Sequence, residues 1–205
     1  MAARFVLHHT PQSRAQRILW LLEESGESFE IVAHDFAART HKTPEFLALN
    51  PDGKLPTLVD RGPDGAWETV VTESAAIVIH VADASADDGL APAPSHPDRG
   101  AYLNWIVYMA AALEPALADA AFPRAEPPPP SAIGWPPYEA TVARLAAQLA
   151  NTPYILGDHF SAADVMVGAM LAWTRGWGRL PEPERFDAYL ARLSARPAYK
   201  RAYGG

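Results

Sequence analysis

Not one of the 205 residues is cysteine. Disulfides, a cysteine nucleophile and thiolate metal sites are therefore excluded. Any thiol chemistry must use a thiol that a ligand brings. Positive charge is also in short supply, with 17 Lys and Arg against 24 Asp and Glu and a net charge of −7. Such a chain repels a phosphate backbone, so nucleic acid is not an expected partner. No apolar run approaches the ~20 residues of a membrane span, and the opening MAARFVLHHT lacks an apolar stretch of signal-peptide length. The expectation is a cytoplasmic protein without a membrane partner. His8 and His9 are the one pair that invites a metal, but neighbours on a strand point to opposite faces and cannot share an ion, so no metal is expected.

What the chain has is apolar content and proline. At 49% hydrophobic residues it is ordinary globular material, enough for one large domain or two small ones. Phe5 to Leu7 read as a strand, and Ser13 with Gln16 fits a capping box ahead of an amphipathic helix that stops at Gly26. A strand at Phe29 to Val32, a short helix at Pro44 to Leu49 and a strand at Leu58 to Asp60 follow. Asp64-Gly65 carries the signature of a two-residue hairpin into a strand at Trp67 to Val71, and Ser74 to Val81 form a helix. This is an α/β layout with a parallel pair and a terminal antiparallel hairpin, over residues 1–82.

Residues 83–96 are rich in Ala, Pro and Asp and read as a linker. From 97 to 205 the pattern is all-helical: Tyr102 to Ala121, Tyr138 to Asn151, a very apolar helix opened by Ser161 and Asp164, and Phe186 to Leu193, with Pro197 as its stop. The apolar helix is expected at the centre of a bundle. Ser161 and Asp164 read as a structural capping box. Seven prolines within 122–138 rule out helix there and make a semi-rigid connector.

Asn50-Pro-Asp-Gly-Lys-Leu-Pro-Thr-Leu-Val59 poses the main question. Pro56 sits at the mouth of a strand, where it has no N–H to give a ladder. An X-Pro bond is the kind for which cis is cheap. A cis bond would turn the backbone of Leu55 outward, with its N–H and C=O free to pair with a ligand.

These pieces together resemble the cytosolic glutathione transferases. The segment 50–59 is similar to the family's Asn-Pro-x-x-Lys-(Val/Leu)-Pro, TESAAIVIHV (72–81) to its Glu-Ser-x-x-Ile helix start, and LGDHFSAADVMVGAML (156–171) to the capping-box helix of its second domain. SRAQRILWLLEESG (13–26) resembles a bacterial and fungal branch with Ser-Arg-x-x-Arg at the first helix. The resemblance implies a thioredoxin-like α/β N-terminal domain, an all-α helical-bundle C-terminal domain, and glutathione as substrate. It implies that Leu55, before cis Pro56, pairs with the cysteinyl backbone of glutathione, that Glu73 and Ser74 take the γ-glutamyl end, and that His41 and Lys54 meet the glycyl carboxylate, with Lys42 as an alternative.

The bound thiol must become a thiolate, which is the nucleophile. Lowering a thiol from about 8.5 by about 2 units requires about 2.7 kcal/mol of preference for the thiolate. A hydrogen bond to a charged group supplies roughly 1.5–3 kcal/mol and a helix N-terminus roughly 0.3–1 kcal/mol, so one hydroxyl at a helix start suffices. Ser13 is the expected catalytic donor; Thr10, Gln12 and the charge of Arg14 are its rivals. No tyrosine lies in His8–Arg14, which disfavours a tyrosine mechanism, and the missing cysteine disfavours a mixed-disulfide one. Tyr108, Met109 and Leu113, with Trp177, are candidates for the wall of a hydrophobic-substrate site.

The expected activity is attack of the glutathione thiolate on a hydrophobic, small-molecule electrophile in detoxification, with hydroperoxide reduction by the same thiolate. Two alternatives stand beside it: a glutathione-dependent lyase, dehalogenase or isomerase, and a non-catalytic module of the same fold that binds ligands or proteins. The family is usually homodimeric, and the resemblance carries that over.

Overall fold

The computed structural model describes residues 2–85 and 89–204. Strand β1 (Phe5–His9) is buried at all five positions, because it has a neighbour on each side. It runs parallel to β2 (Phe29–Ala33) and antiparallel to β3 (Thr57–Asp60), and β3 pairs with β4 (Thr69–Thr72), giving the order β2-β1-β3-β4. The parallel pair requires a crossover, and helix α1 (Ala15–Ser25) supplies it, ending on left-handed Gly26 at φ +69°. Helix α2 (Pro44–Leu49) starts with Pro44 behind the N-cap Thr43, and α3 (Ser74–Ala84) packs on α1. Alternation along β1 sends His8 toward Phe46 of α2 and His9 toward Gln16 of α1.

Four local expectations change. The β3–β4 connection runs over residues 61–68, so Asp64-Gly65 sits in a longer loop, not a two-residue hairpin. Gly62 at φ +72° turns there under the ring of Trp67, which leaves no space for a side chain. Ser13 and Gln16 do not form a capping box. The Ser13 hydroxyl accepts from Ala15 N (3.1 Å) and donates to Thr10 O (2.7 Å), while the Gln16 amide bonds His9 and the carbonyl of Ala202. Pro197 does not end the helices; it is the first residue of another, α9 (Pro197–Tyr203). A proline at the first helical position loses nothing, since that N–H has no partner in the helix anyway.

The fourth change lies in the long helix read from Tyr102 to Ala121. It is α4 (Arg99–Tyr108) and α5 (Glu114–Ala121), joined by a π turn over Met109–Leu113 in which Glu114 N donates to Met109 O. Pro115 has no N–H for the carbonyl four residues back, and the wider turn absorbs that defect.

The chain forms two compact units, 1–90 with 197–205, and 91–196. The C-terminal helix thus belongs with the sheet. Trp20 of α1 is fully buried there, with Tyr199 edge-on at 4.9 Å and Arg201 bonded to Glu23. Residues 86–88 of the expected linker lie outside the described residues. In the helical unit, α6 (Tyr138–Leu149), α7 (Ala162–Gly176) and α8 (Asp187–Ser194) complete the bundle, and α7 is buried without a break from Ala162 to Leu171. The Ser161–Asp164 capping box is formed. The Asp164 carboxylate also accepts from Ile155 N (2.8 Å) and the Tyr189 hydroxyl (2.8 Å), so it fastens the 155 loop and α8 to the central helix. Among the described residues no helix is long and apolar enough to cross a membrane.

Replacing Asp164 by Ala leaves two buried amides and two buried hydroxyls without that acceptor, at a cost of about 3–5 kcal/mol; a urea midpoint close to that of the wild type would contradict this. A second expectation concerns acid. His8 is pulled down to about 4 by burial and then by His34, and burial lowers His9 and His34 as well. A neutral buried imidazole contributes stability that is present above about pH 6.5 and lost as pH falls toward 4, because the unfolded chain takes up protons first. The urea midpoint should fall across that window, and fall less in His8→Gln; identical slopes would refute the assignment.

Candidate active site

Register fixes where the site must be. Thr57 pairs with His8 on one side and with Thr72 on the other. Continued past the ladder, the same alignment sets Leu55 and Pro56 between Thr10 and Glu73–Ser74. The end of β1, the start of β3 and the end of β4 therefore meet at one edge of the sheet.

The Leu55–Pro56 bond is cis. Leu55 is buried by its side chain, which packs with Ala15 and Phe46. Among the described residues neither its N–H nor its C=O has a hydrogen-bond partner. The loop before it is held by Asn50. That side chain donates to Lys54 O (3.0 Å) and to Thr57 Oγ1 (2.9 Å) and accepts from Asp52 N (3.2 Å). Asparagine bonding to the backbone two residues on is a common turn device, so Asn50 was legible as a turn former but not as the clasp of the whole loop. Lys42 donates to Asp52 O (2.8 Å), and its ammonium fills the space beside Gly53, which holds φ +58°. Lys42 is thereby committed to the loop.

Lys54 and His41 stand uncommitted beside this loop. Lys54 is exposed, and its ammonium has no partner among the described residues. His41 Nδ1 is buried without a hydrogen bond, and the ring stands edge-on to Phe36 at 4.8 Å. Burial first, then Lys42, Arg39 and Lys54, lower its pKa. An anion placed here would relieve that repulsion.

Glu73 holds φ +67°, an uncommon value for a residue with a side chain. That single residue turns β4 directly into α3. No side chain caps α3, so its first N–H groups remain open to an acceptor, with the half-buried end of the strand behind them and Ser74 buried at the first position. Ser13 is half-buried and Arg14 is exposed at the N-cap position of α1. Ser13 already gives its proton to Thr10 O, so it would have to rotate to serve a thiolate. Gln12 sits at φ +57° on the surface and Thr10 is buried.

The hydrophobic-substrate candidates require a correction. Met109 and Leu113 are fully buried in the helical unit, where they pack in the core and present no surface to a substrate. Tyr108 presents surface, lining an open cavity of about 750 Å³ with Leu103, Val107 and Arg144, whose guanidinium lies 4.2 Å over the Tyr108 ring. Trp177 stacks with Trp173 at the end of α7 and is 40% exposed. Among the described residues no cluster of three or more His, Cys, Asp or Glu is placed to hold a metal ion.

Comparison with known proteins agrees with this geometry. Residues 5–83 match the N-terminal domain model of glutathione S-transferase, and residues 115–202 match its C-terminal domain model. The chain is 30% identical to glutathione S-transferase 3 of Zea mays, over 90% of this chain and 86% of that one. It is 28% identical to the disulfide-bond oxidoreductase YfcG of Escherichia coli, over 96% and 93%. A glutathione transferase family member from Pseudomonas fluorescens, solved with two glutathione bound, superposes with a TM-score of 0.73 at 26% identity, over 98% of this chain and 92% of that one. The chain belongs to the glutathione S-transferase family.

Proposed function

We propose that this chain binds glutathione along the Leu55 edge and holds its sulfur as a thiolate for attack on a hydrophobic electrophile. The observation that carries this reading is the unpaired N–H and C=O of Leu55, flanked by the free ammonium of Lys54 and the uncapped start of α3. An extended peptide can add to such an edge as a strand does. Glutathione has a charge at each end, and the edge has a complement for each. The α3 amides and Ser74 take the γ-glutamyl carboxylate, Glu73 takes the ammonium, and Lys54 with His41 takes the glycyl carboxylate.

The sulfur then lies toward the β1–α1 turn. Ser13 donates its proton to sulfur once it leaves Thr10 O, and keeps accepting from Ala15 N. The thiol proton passes to water, and the thiolate forms the new bond to the electrophilic carbon as the leaving group departs. The relative described as a disulfide-bond oxidoreductase supports a second reading, in which the same thiolate attacks sulfur instead of carbon. Turnover of an aryl halide against that of a small disulfide separates the two.

Calorimetry with glutathione, joined to the ultraviolet absorbance of the bound thiolate against pH, tests the reading. The bound thiol should titrate about 2 units below its usual value near 8.5. In Ser13→Ala it should return most of the way, with affinity little changed. A shift that persists moves the role to Thr10, Gln12 or Arg14, and no binding at millimolar glutathione refutes the reading. We further propose a homodimer. Light scattering should give about twice the chain mass of 22.2 kDa; a stable monomer would exclude it.

A further inference from the structure

The carboxylate end of the proposed site rests on a segment with little core of its own. Asp35 to Arg39 are exposed, and the turn Thr40–Lys42 contains no buried residue. One side chain ties this segment to the centre of the sheet. His34 Nε2 lies 2.9 Å from His8 Nδ1, and His34 Nδ1 lies 3.2 Å from Thr40 Oγ1. Thr40 in turn takes Asp35 N on its hydroxyl (2.9 Å) and gives its own N–H to Asp35 O (3.1 Å). His8 cannot move, because it is buried on the central strand and paired on both sides. Phe46 flanks both rings, at 5.1 Å from His8 and 4.7 Å from His34.

The two facing nitrogens share one proton. If His8 donates, His34 gives its Nδ1 proton to Thr40 Oγ1. If His34 donates, the Thr40 hydroxyl gives its proton to His34 Nδ1. Either way the chain of bonds is complete. Protonation of both rings would set two N–H groups head-on. Burial lowers the pKa of both rings, with His34 acting against His8 and His41 against His34, so both are neutral near pH 7. The charged and titratable groups facing the pair are His41, beside His34, and beyond it Arg39, Lys42 and Lys54.

We propose that His8 and His34 are positioning residues for the carboxylate end of the thiol peptide: through Thr40 the pair fixes the turn that presents His41, and so sets selectivity for glutathione over a thiol peptide lacking the glycyl carboxylate. This rests on the glutathione reading above. Neither histidine touches the ligand. Phe46 is shared with Leu55, so a substitution that keeps a ring against Phe46 leaves the Leu55 edge in place and confines the effect to the carboxylate end.

The test is calorimetric titration of the whole chain with glutathione and with γ-glutamylcysteine, which lacks the glycine. The wild type should prefer glutathione. His34→Phe keeps a ring against Phe46 and removes both bonds; it should weaken glutathione about tenfold, the worth of one or two net hydrogen bonds, and leave γ-glutamylcysteine unchanged. His34→Asn keeps a polar atom near the Nδ1 place and should recover part of the loss. In the wild type, imidazole nitrogen resonances of His8 and His34 should shift on adding glutathione and stay still with γ-glutamylcysteine, a readout that needs no variant. Equal weakening of both peptides in His34→Phe would show a general structural role and overturn the proposal, as would no weakening at all. Equal wild-type affinity for both peptides would remove the glycyl contact and the proposal with it. Binding of neither peptide would instead refute the glutathione reading itself.

Discussion

Thr57 is the residue on which the site depends. Fully buried, it pairs with His8 and Thr72 at once and so aligns three strands at one edge. Its hydroxyl accepts from Asn50 Nδ2 and donates to Lys54 O at 3.1 Å, which fastens the loop that leads to Leu55. The ladder ends there, and beyond the cis bond the Leu55 N–H and C=O have no hydrogen-bond partner among the described residues. A buried backbone group without a partner costs free energy comparable to a lost hydrogen bond. In the proposed reading, an extended peptide supplies the partners that the Leu55 backbone lacks.

Charge is arranged around that edge against the trend of the chain. The protein carries −7 overall, yet Arg39, His41, Lys42 and Lys54 gather at one end of it, close enough to depress the pKa of His41. Lys42 is spent on the loop, through Asp52 O. In the proposed reading, Lys54 and the neutral ring of His41 are left for a carboxylate. At the other end the work is done by backbone, through the strained residue Glu73 and the uncapped α3. Cations at one end and helix amides at the other give an extended dicarboxylate a single favourable direction.

Much of this was legible in the sequence, for a physical reason. Pro56 ahead of a strand, Glu73-Ser74 at a helix start and Ser161 with Asp164 are local signals, each acting within a few residues. The places where the sequence misled are those set by distant partners. Gln16 looks like half of a capping box until α9 arrives with the carbonyl of Ala202. Met109 and Leu113 look like pocket wall until the other helices of the bundle pack over them. His34 gives no signal at all; it lies just past the end of β2, and its ring reaches His8 on the neighbouring strand, a contact no short window contains.

The most direct measurement is hydrogen exchange at the Leu55 amide, followed by NMR with and without glutathione. The account predicts that exchange slows markedly when glutathione is added, as the amide gains the partner the sheet does not supply. Glutathione binding that leaves the Leu55 amide unprotected would contradict it, because the peptide would then be held somewhere other than the open edge.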